Sequence, residues 1–340
     1  MLVSALHQQR PCDYTHKLHA SLSTKMADQN SFQFGVEIEL LMGSRKKTHS
    51  NWKSLAKDLS KRLLKAGISN HINESNDKSQ DNYREWSITQ EITIPSQPAK
   101  SLFGLELVSP IYSIYASWAT DLETIFTVLH GSFTLHPSPH CSTHVHISGT
   151  PHPLSPSELA ALAKSALYYE PALDALVPSA RRGAAYWCQS NRSNPSLTGL
   201  DLATCLDALD TAGGGSVRHV VEAMNLFPAN SAYGHAHGRQ RDFVRGKVYK
   251  WDFTGMMSSG RGTVEFRQAP GCVCAEDAVG WATLAVAFVV GAMAVGPQLG
   301  GVGVGEGASA EELWALLAGG AEVLGWESLG AAEGLFGRVG

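Results

Sequence analysis

The sequence has no excess of positive charge. Its 340 residues include 27 lysines and arginines against 31 aspartates and glutamates, which gives a formal net charge of -4 and a pI near 6.4. Proteins that bind nucleic acid or an anionic membrane surface usually carry a basic excess or a basic run. The composition therefore predicts neither kind of partner.

The chain also lacks a cysteine framework. Its six cysteines are scattered and form no Cys-x-x-Cys pair, so the sequence predicts a reduced, intracellular setting and a cytoplasmic location. The stretch from Met1 to Ala20 has only a brief apolar patch before polar residues, which is not the pattern of a signal peptide. Cys188 has no histidine beside it in the sequence, and we interpret it as a packing residue rather than a nucleophile.

Long apolar runs are rare, and one stretch from Ala278 to Val295 carries no charge. Its length is near the lower limit for a membrane-spanning helix. Alanine and glycine are frequent in it, and no basic cluster flanks it. The preceding Glu276 and Asp277 suit a helix N-terminus. The composition favours a buried core helix over a membrane span.

No Gly-rich phosphate loop is present, and strands do not alternate regularly with helices. Instead, separated strand-like stretches have helical segments between them. This predicts an α+β fold with a mainly antiparallel sheet and helices packed on the outside. The predicted strands are 34–40, 86–94, 102–108 and 141–148, followed by an antiparallel hairpin of 247–253 with 262–268.

The chain divides into three parts by composition. Residues 1–31 are polar and aperiodic, and we expect them to be disordered or loosely attached. Residues 32–296 contain all the predicted strands and form the predicted main domain. Residues 297–340 are a Gly/Ala-rich tail with a helix expected around Glu311 to Ala318.

The strand Phe34–Leu40 carries two acids. Alternation by two places Glu37 and Glu39 on one face, with Val36 and Ile38 on the other. Two like charges about 6.6–7 Å apart repel by roughly 2.5 kcal/mol at an effective dielectric near 20. An interior pair therefore requires a cation, and Mg²⁺ binds carboxylate oxygens. The alternative is a solvated acidic face, and the spacing alone does not decide between them.

Other acids occur at similar places in apolar strands. Glu91, Glu106 and Glu265 each interrupt such a stretch, and His144 and His146 share one face of their strand. If these strands are neighbours, the acids line one concave surface. Because histidine joins carboxylates more often at Zn²⁺ than at Mg²⁺ or Mn²⁺, a Zn²⁺ hydrolase stays open.

Basic residues accompany these acids. Arg267 lies on the same strand face as Glu265, where a guanidinium can bind a phosphate in bidentate fashion or simply pair with the glutamate. Lys247 lies in an irregular segment and could hold a nucleotide or a carboxylate, or be solvated.

Five motifs in this order resemble the amidoligase family, within the glutamine synthetase/glutamate-cysteine ligase-like superfamily of carboxylate-amine ligases. They are Phe34–Glu39, Trp86–Thr93, Glu106–Pro110, Cys141–Ser148 and Thr263–Gln268. The resemblance covers roughly residues 34–290 and makes 32–296 a catalytic domain. It implies a curved antiparallel sheet forming an open funnel, a glutamine synthetase-like fold, ATP, and two or more Mg²⁺ ions, with Mn²⁺ as a possible substitute.

The implied reaction is phosphorylation of a carboxylate by ATP, followed by attack of an amine on the acyl phosphate to form an amide. The implied partners are a small-molecule or peptide carboxylate and an amine, and an oligomer stays possible. The resemblance assigns Glu37, Glu39, Glu106 and Glu265 to catalysis and metal binding, with His144 or His146 as a further ligand. Arg267 is assigned to the γ-phosphate, and we add Glu91 and Lys247 as nucleotide-binding candidates.

One departure from the family pattern affects the second motif. The family commonly has Trp…Asp-Gly-Ser there, whereas this chain has Trp86 followed by Glu91-Ile92-Thr93. Two rival functions stand beside the ligase, the first left open by the histidine pair and the second suggested by this departure. One is a Zn²⁺ hydrolase that uses His144, His146 and a glutamate, and the other is a degenerate, non-catalytic binding protein.

Overall fold

The computed structural model describes residues 31–183, 186–257, 261–300 and 304–337. The predicted N-terminal segment 1–31 therefore lies, except for Ser31, outside the described residues. The described residues form two compact units. We call Gln33–Val145 with Ala269–Ala282 the first unit. The second unit contains the described residues of His146–Gln268 and of the chain from Thr283, together with Ser31 and Phe32.

The first unit is built on a mostly antiparallel sheet, as predicted. Its strand order is β7-β1-β4-β3-β2, with β5 and β6 also paired to β1. β4, β5 and β6 pair with β1 antiparallel, β3 pairs with β4 antiparallel, and β2 pairs with β3 parallel. The strands are β1 Ser31–Ser44, β2 Asn70–Ile72, β3 Trp86–Gln90, β4 Phe103–Val108, β5 Tyr112–Ser113, β6 Phe133–His136 and β7 Thr143–Thr150. The last of these strands begins in the first unit and continues into the second.

Two helices pack on this sheet, α1 Trp52–Lys65 and α2 Trp118–Ser132. The side chain of Asn51 caps α1 by accepting the N–H of Ser54. Val36 and Ile38 of β1 are fully buried, and Phe34 meets Trp118 of α2 edge to face at 5.1 Å. The apolar face of β1 thus belongs to the core, which leaves the acids on the opposite face.

The strand predicted over 86–94 is shorter than expected. It ends at Gln90, and the following residues form a turn in which Ile92 is 81% exposed and Ile94 is buried. The neighbouring strand β4 approaches closely here, because a Cβ on Gly104 would lie only 2.6 Å from the carbonyl oxygen of Glu91. Glu91 therefore lies just beyond the strand rather than within it.

The second unit combines helices with short strands. Its helices are α3 Pro156–Tyr168, α4 Glu170–Leu176, α5 Leu202–Gly213, α6 Val217–Asn225, α7 Ala232–Ala236, α9 Ala310–Val323 and α10 Glu333–Phe336. Its strands are β8 Leu226–Phe227, β9 Phe243–Val244, β10 Trp251–Asp252 and β11 Val264–Phe266, with order β10-β11-β7 in the main sheet. The predicted hairpin is confirmed as the antiparallel pair of β10 and β11, although both strands are shorter than expected.

The uncharged stretch forms most of α8, Ala275–Val295, with Glu276 and Asp277 in its first turn. Among the described residues it is the one helix long and apolar enough to cross a membrane by composition. Of its most apolar window, 83% is buried inside the protein. It is therefore a core helix, as predicted. The helix expected near 311–318 is also present, as the longer α9 with a capping box at Ser309 and Glu312.

Candidate functional site

Two glutamates on neighbouring strands lie opposite each other in the first unit. In the antiparallel register of β1 and β4, Glu39 is the direct partner of Glu106, and both side chains are buried. Glu37 precedes Glu39 by two residues, so alternation places it on the same face. Like charges on directly opposite residues destabilise a sheet. The register therefore concentrates negative charge on one part of the sheet.

Residues at the start of β7 hold these acids in place. Both the backbone N–H and the hydroxyl of Ser142 donate to Glu39 Oε2, at 2.8 and 2.6 Å. His144 Nδ1 lies 3.2 Å from Glu37 Oε2, and its Nε2 lies 2.8 Å from Ser142 Oγ. Since the Ser142 hydroxyl donates to Glu39, it accepts from Nε2–H of the histidine. Through these contacts Ser142 and His144 orient the two glutamates.

The electrostatics of this group are unfavourable without a cation. Burial is the largest cause that raises the pKa of Glu106 well above its ordinary value, and the charges of Glu37 and Glu39 raise it further. Lys78 acts in the opposite direction but does not outweigh them. A divalent ion would remove this penalty, because it favours the ionised form of every carboxylate around it.

Two sets of possible metal ligands in the first unit share Glu106. One is Glu37, Glu106 and His144, the other is Glu39, Glu91 and Glu106, and within each set the ligand atoms lie within 4.8 Å of one another. The carboxylate of Glu91 is held by its own turn, where Oε1 accepts the N–H of Thr93 at 2.7 Å. Four carboxylates and one histidine form a donor set that fits Mg²⁺ or Mn²⁺ better than Zn²⁺.

The second unit holds a group of mixed charge. Asp252 of β10 is the direct partner of Glu265 on β11. Arg267 donates from Nη1 to Glu265 Oε1, and His146 Nε2 lies 3.7 Å from the same oxygen. Burial first, and then the charge of Glu265, raises the pKa of Asp252, which bonds with Thr254 and the charge of Arg267 partly offset. Here a guanidinium is already built in among the acids.

Within each unit the structure brings predicted site residues together. Glu37, Glu39, Glu91, Glu106 and His144 lie in the first unit. In the second unit, Glu265, Arg267 and His146 form one group. Lys247 lies on an exposed turn before β10 and forms no ion pair with the described residues.

Two residues of these groups were missed by sequence reasoning. Ser142 is 103 residues from the glutamate it binds, and no local pattern indicates such a contact. Asp252 had a usable signal, because the predicted hairpin pairs it with Glu265 once the register is fixed. In the structure Gly246 leaves room for this residue, since a Cβ there would clash with the Asp252 carboxylate.

Cys188, interpreted from the sequence as a packing residue, has no catalytic setting. Cys188 is fully buried, and its thiol donates to the carbonyl oxygen of Arg181 at 3.2 Å. Burial raises the pKa of the Cys188 thiol, which disfavours the nucleophilic thiolate. Arg181 is itself buried and donates to the carbonyl oxygens of Arg267 and Gln268. Both residues therefore have structural contacts.

Comparison with known proteins agrees with the motifs. Residues 30–195 match the model of a protein family described as "Putative amidoligase enzyme". Four of the five motifs lie inside the matched residues, whereas the fifth, Thr263–Gln268, lies beyond them. A search among curated proteins gives no match. The resemblance to the amidoligase family is confirmed over the matched residues, and the family description indicates an amide-forming ligase.

Proposed function

We propose that the protein is an ATP- and Mg²⁺-dependent ligase that joins a carboxylate to an amine through an acyl phosphate. A carboxylate oxygen attacks the γ-phosphorus of ATP, and ADP leaves. The amine nitrogen then attacks the acyl carbon, phosphate leaves, and the nitrogen loses a proton. The glutamine synthetase-like funnel implied by the motifs is part of this proposal.

The observation that carries the proposal is the group of carboxylates in the first unit. Glu37, Glu39, Glu91 and Glu106 supply oxygen ligands, and Mg²⁺ held there would neutralise phosphate charge. Ser142 fixes one of these carboxylates through two hydrogen bonds. This preorganisation matters because electrostatic stabilisation depends on groups that do not reorganise during the reaction.

The basic residue of the second unit has a complementary role in the proposal. The Arg267 guanidinium is held by Glu265, so its orientation is defined before a ligand binds. We assign it to the transferred phosphate, where it would balance developing negative charge. No protein nucleophile is required, which agrees with the buried, structural setting of Cys188.

The test is ATP turnover by the full chain with Mg²⁺, a pool of carboxylates and a pool of amines, with ADP and phosphate as the readout. We expect ADP release that requires both pools and is lost in Glu37→Gln. The matched control is Glu123→Gln, which changes an exposed acid on α2 and should keep full turnover.

Two results would overturn the proposal in different ways. Stoichiometric Zn²⁺ with no nucleotide affinity would favour the hydrolase. Unchanged ATP affinity in a Glu37→Ala, Glu39→Ala double variant would show that these acids hold no nucleotide-bound metal, and it would favour the non-catalytic binding protein.

A further inference from the structure

A cavity of about 340 Å³ lies in the second unit, between α4 and the segment that precedes α5. Charged side chains of both signs line it, Glu170 and Asp174 from α4 and Arg192 from the facing segment. The apolar side chains Leu167 and Leu197 complete its wall. The volume is at the small end of the range for ligand pockets, which suits a compact molecule and not a nucleotide.

A buried lysine, Lys250, binds both Glu170 and Asp174. Lys250 is 1% exposed, and its Nζ donates to Glu170 Oε1 at 2.8 Å and to Asp174 Oδ1 at 2.5 Å. Burial disfavours its charged form, but the two carboxylates outweigh burial and raise the pKa of Lys250. The lysine is therefore charged, and it neutralises one of the two acids.

The remaining acceptors at this end of the cavity are also ordered. Ser190 donates to Glu170 Oε2 at 2.8 Å, and Gln268 donates to Asp174 Oδ1. In the described part of the chain, Asp174 Oδ2 accepts no hydrogen bond from protein atoms. This end of the cavity thus carries a net charge of minus one and offers an oriented carboxylate oxygen. An ammonium group satisfies both features.

The facing wall carries the opposite charge. Arg192 is fixed through Nη2, which donates to the carbonyl oxygen of Leu200 at 3.0 Å. Within the described structure Arg192 forms no ion pair with Glu170 or Asp174 across the cavity, and its charge also acts on Asp201, which caps α5. A guanidinium in this position suits a carboxylate. A simple cation would be repelled by Arg192, and a simple anion would be repelled by the acids.

We propose that this cavity binds a free α-amino acid with an aliphatic side chain. Its ammonium group lies against Asp174 and Glu170, its carboxylate against Arg192, and its side chain against Leu167 and Leu197. The proposal does not rest on the ligase reaction, because it concerns binding alone and requires neither ATP nor Mg²⁺.

The experiment is calorimetric titration of the full chain, without ATP or Mg²⁺, with each of the twenty standard L-amino acids. We expect L-leucine or a similar aliphatic amino acid to bind. Two analogues of leucine isolate the charges, isoamylamine without the carboxylate and 4-methylpentanoate without the ammonium. Each should bind at least tenfold more weakly than leucine.

A variant of Arg192 tests whether the carboxylate of leucine binds in this cavity. Arg192→Gln should weaken leucine at least tenfold and leave isoamylamine unchanged. The matched control, Arg218→Gln, removes the same charge from an exposed position on α6 that is 69% accessible, and it should change neither. If Arg192→Gln does not fold, Thr198→Trp places a bulky side chain at the cavity rim and should abolish leucine binding.

Three results would overturn the proposal. They are no binding of any amino acid at millimolar concentration, equal affinity for leucine and isoamylamine, and full leucine affinity in either cavity variant. None of these results bears on ATP turnover, so failure here is distinguishable from failure of the ligase.

Discussion

Buried acids are surrounded differently in the first unit and in the second unit. In the first unit, Glu37, Glu39 and Glu106 lie together, and their mutual repulsion contributes to the raised pKa of Glu106. In the second unit, Asp252 and Glu265 lie opposite each other, but Arg267 donates directly to Glu265. The second group contains a guanidinium, whereas in the first group the contacts to Glu39 and Glu37 come from Ser142 and His144.

The two arrangements of acids have opposite effects on the free energy of folding. A built-in ion pair is destabilising to break, since removal of one partner leaves a buried charge. A buried group of acids whose mutual repulsion raises a pKa is costly to fold, and groups of this kind cluster at functional sites. The buried acids of the first unit therefore carry a charge repulsion, whereas one acid of the second unit is paired with a guanidinium.

The largest expected effect is on the stability of the second unit. Arg267→Met should lower the free energy of unfolding by about 3–5 kcal/mol, because it leaves Glu265 and Asp252 without the guanidinium. Urea denaturation measures this change. The double variant Arg267→Met, Glu265→Gln should recover part of the loss, and Arg218→Met serves as the exposed control. A loss no larger than that of the control would contradict the built-in pair.

In the first unit, removal of a charged side chain is expected to raise the free energy of unfolding. Glu106→Gln should raise the free energy of unfolding by about 1–3 kcal/mol at pH 8 without divalent ions, because it removes charge repulsion at roughly 5 Å. Thermal denaturation with a chelator checks this, with Glu123→Gln as control. Destabilisation by Glu106→Gln under these conditions would rule out uncompensated repulsion.

The stability difference between the wild-type protein and Glu106→Gln is expected to depend on pH. Because the pKa of Glu106 is raised in the folded state, the folded protein retains a proton that the unfolded chain releases. Stability then falls as the pH rises from the ordinary glutamate range, near 4.3, through the raised value. The advantage of Glu106→Gln should grow over this window, and Mg²⁺ at neutral pH should reverse it. A pH-independent difference between the two proteins would contradict this assignment.

A smaller effect is expected from the residue that orients Glu39. Ser142→Ala removes a hydroxyl donor 2.6 Å from Glu39 Oε2 and the partner of His144 Nε2. Loss of a group that orients a metal ligand typically weakens metal binding by about 10–100-fold. Titration calorimetry with Mg²⁺ measures this. Ser117→Ala is the control, because Ser117 is exposed and its side chain makes no capping bond.

The smallest effect is expected at Glu91. Glu91→Gln keeps the oxygen that accepts the N–H of Thr93 and removes only a partly exposed charge. Mg²⁺ affinity should fall by less than about fivefold, because exposed charge pairs contribute about 0.2–1 kcal/mol. A loss as large as that of Glu37→Gln would place Glu91 among the principal ligands.

The sequence allowed the acidic face of β1 to be predicted, because alternation in a strand is local. It also allowed the pairing of β10 with β11 and the buried setting of α8. The end of β3 was predicted wrongly, because alternation continues through Ile92 and Ile94 while the chain turns away beside Gly104. Local periodicity does not record the close approach of another strand.

The hydrogen bonds of the site could not be predicted from the sequence, because they join residues that are far apart in the chain. Ser142 binds Glu39, and His144 contacts Glu37, across more than one hundred residues of chain. The residue types were visible, but the register that brings them together is a property of the folded sheet. The partner of Asp252 was partly predictable, because the hairpin was predicted and its register pairs Asp252 with Glu265.

The division of the chain into units has a consequence for synthesis. The first unit includes Ala269–Ala282, where Gly271 donates its N–H to the carbonyl oxygen of Cys141 and Cys272 accepts the hydroxyl of Thr143. These partners leave the ribosome long after Val145. A nascent chain therefore holds the acidic sheet incomplete while the intervening 123 residues, 146–268, are translated, and the repelling glutamates acquire their full surroundings only late in translation.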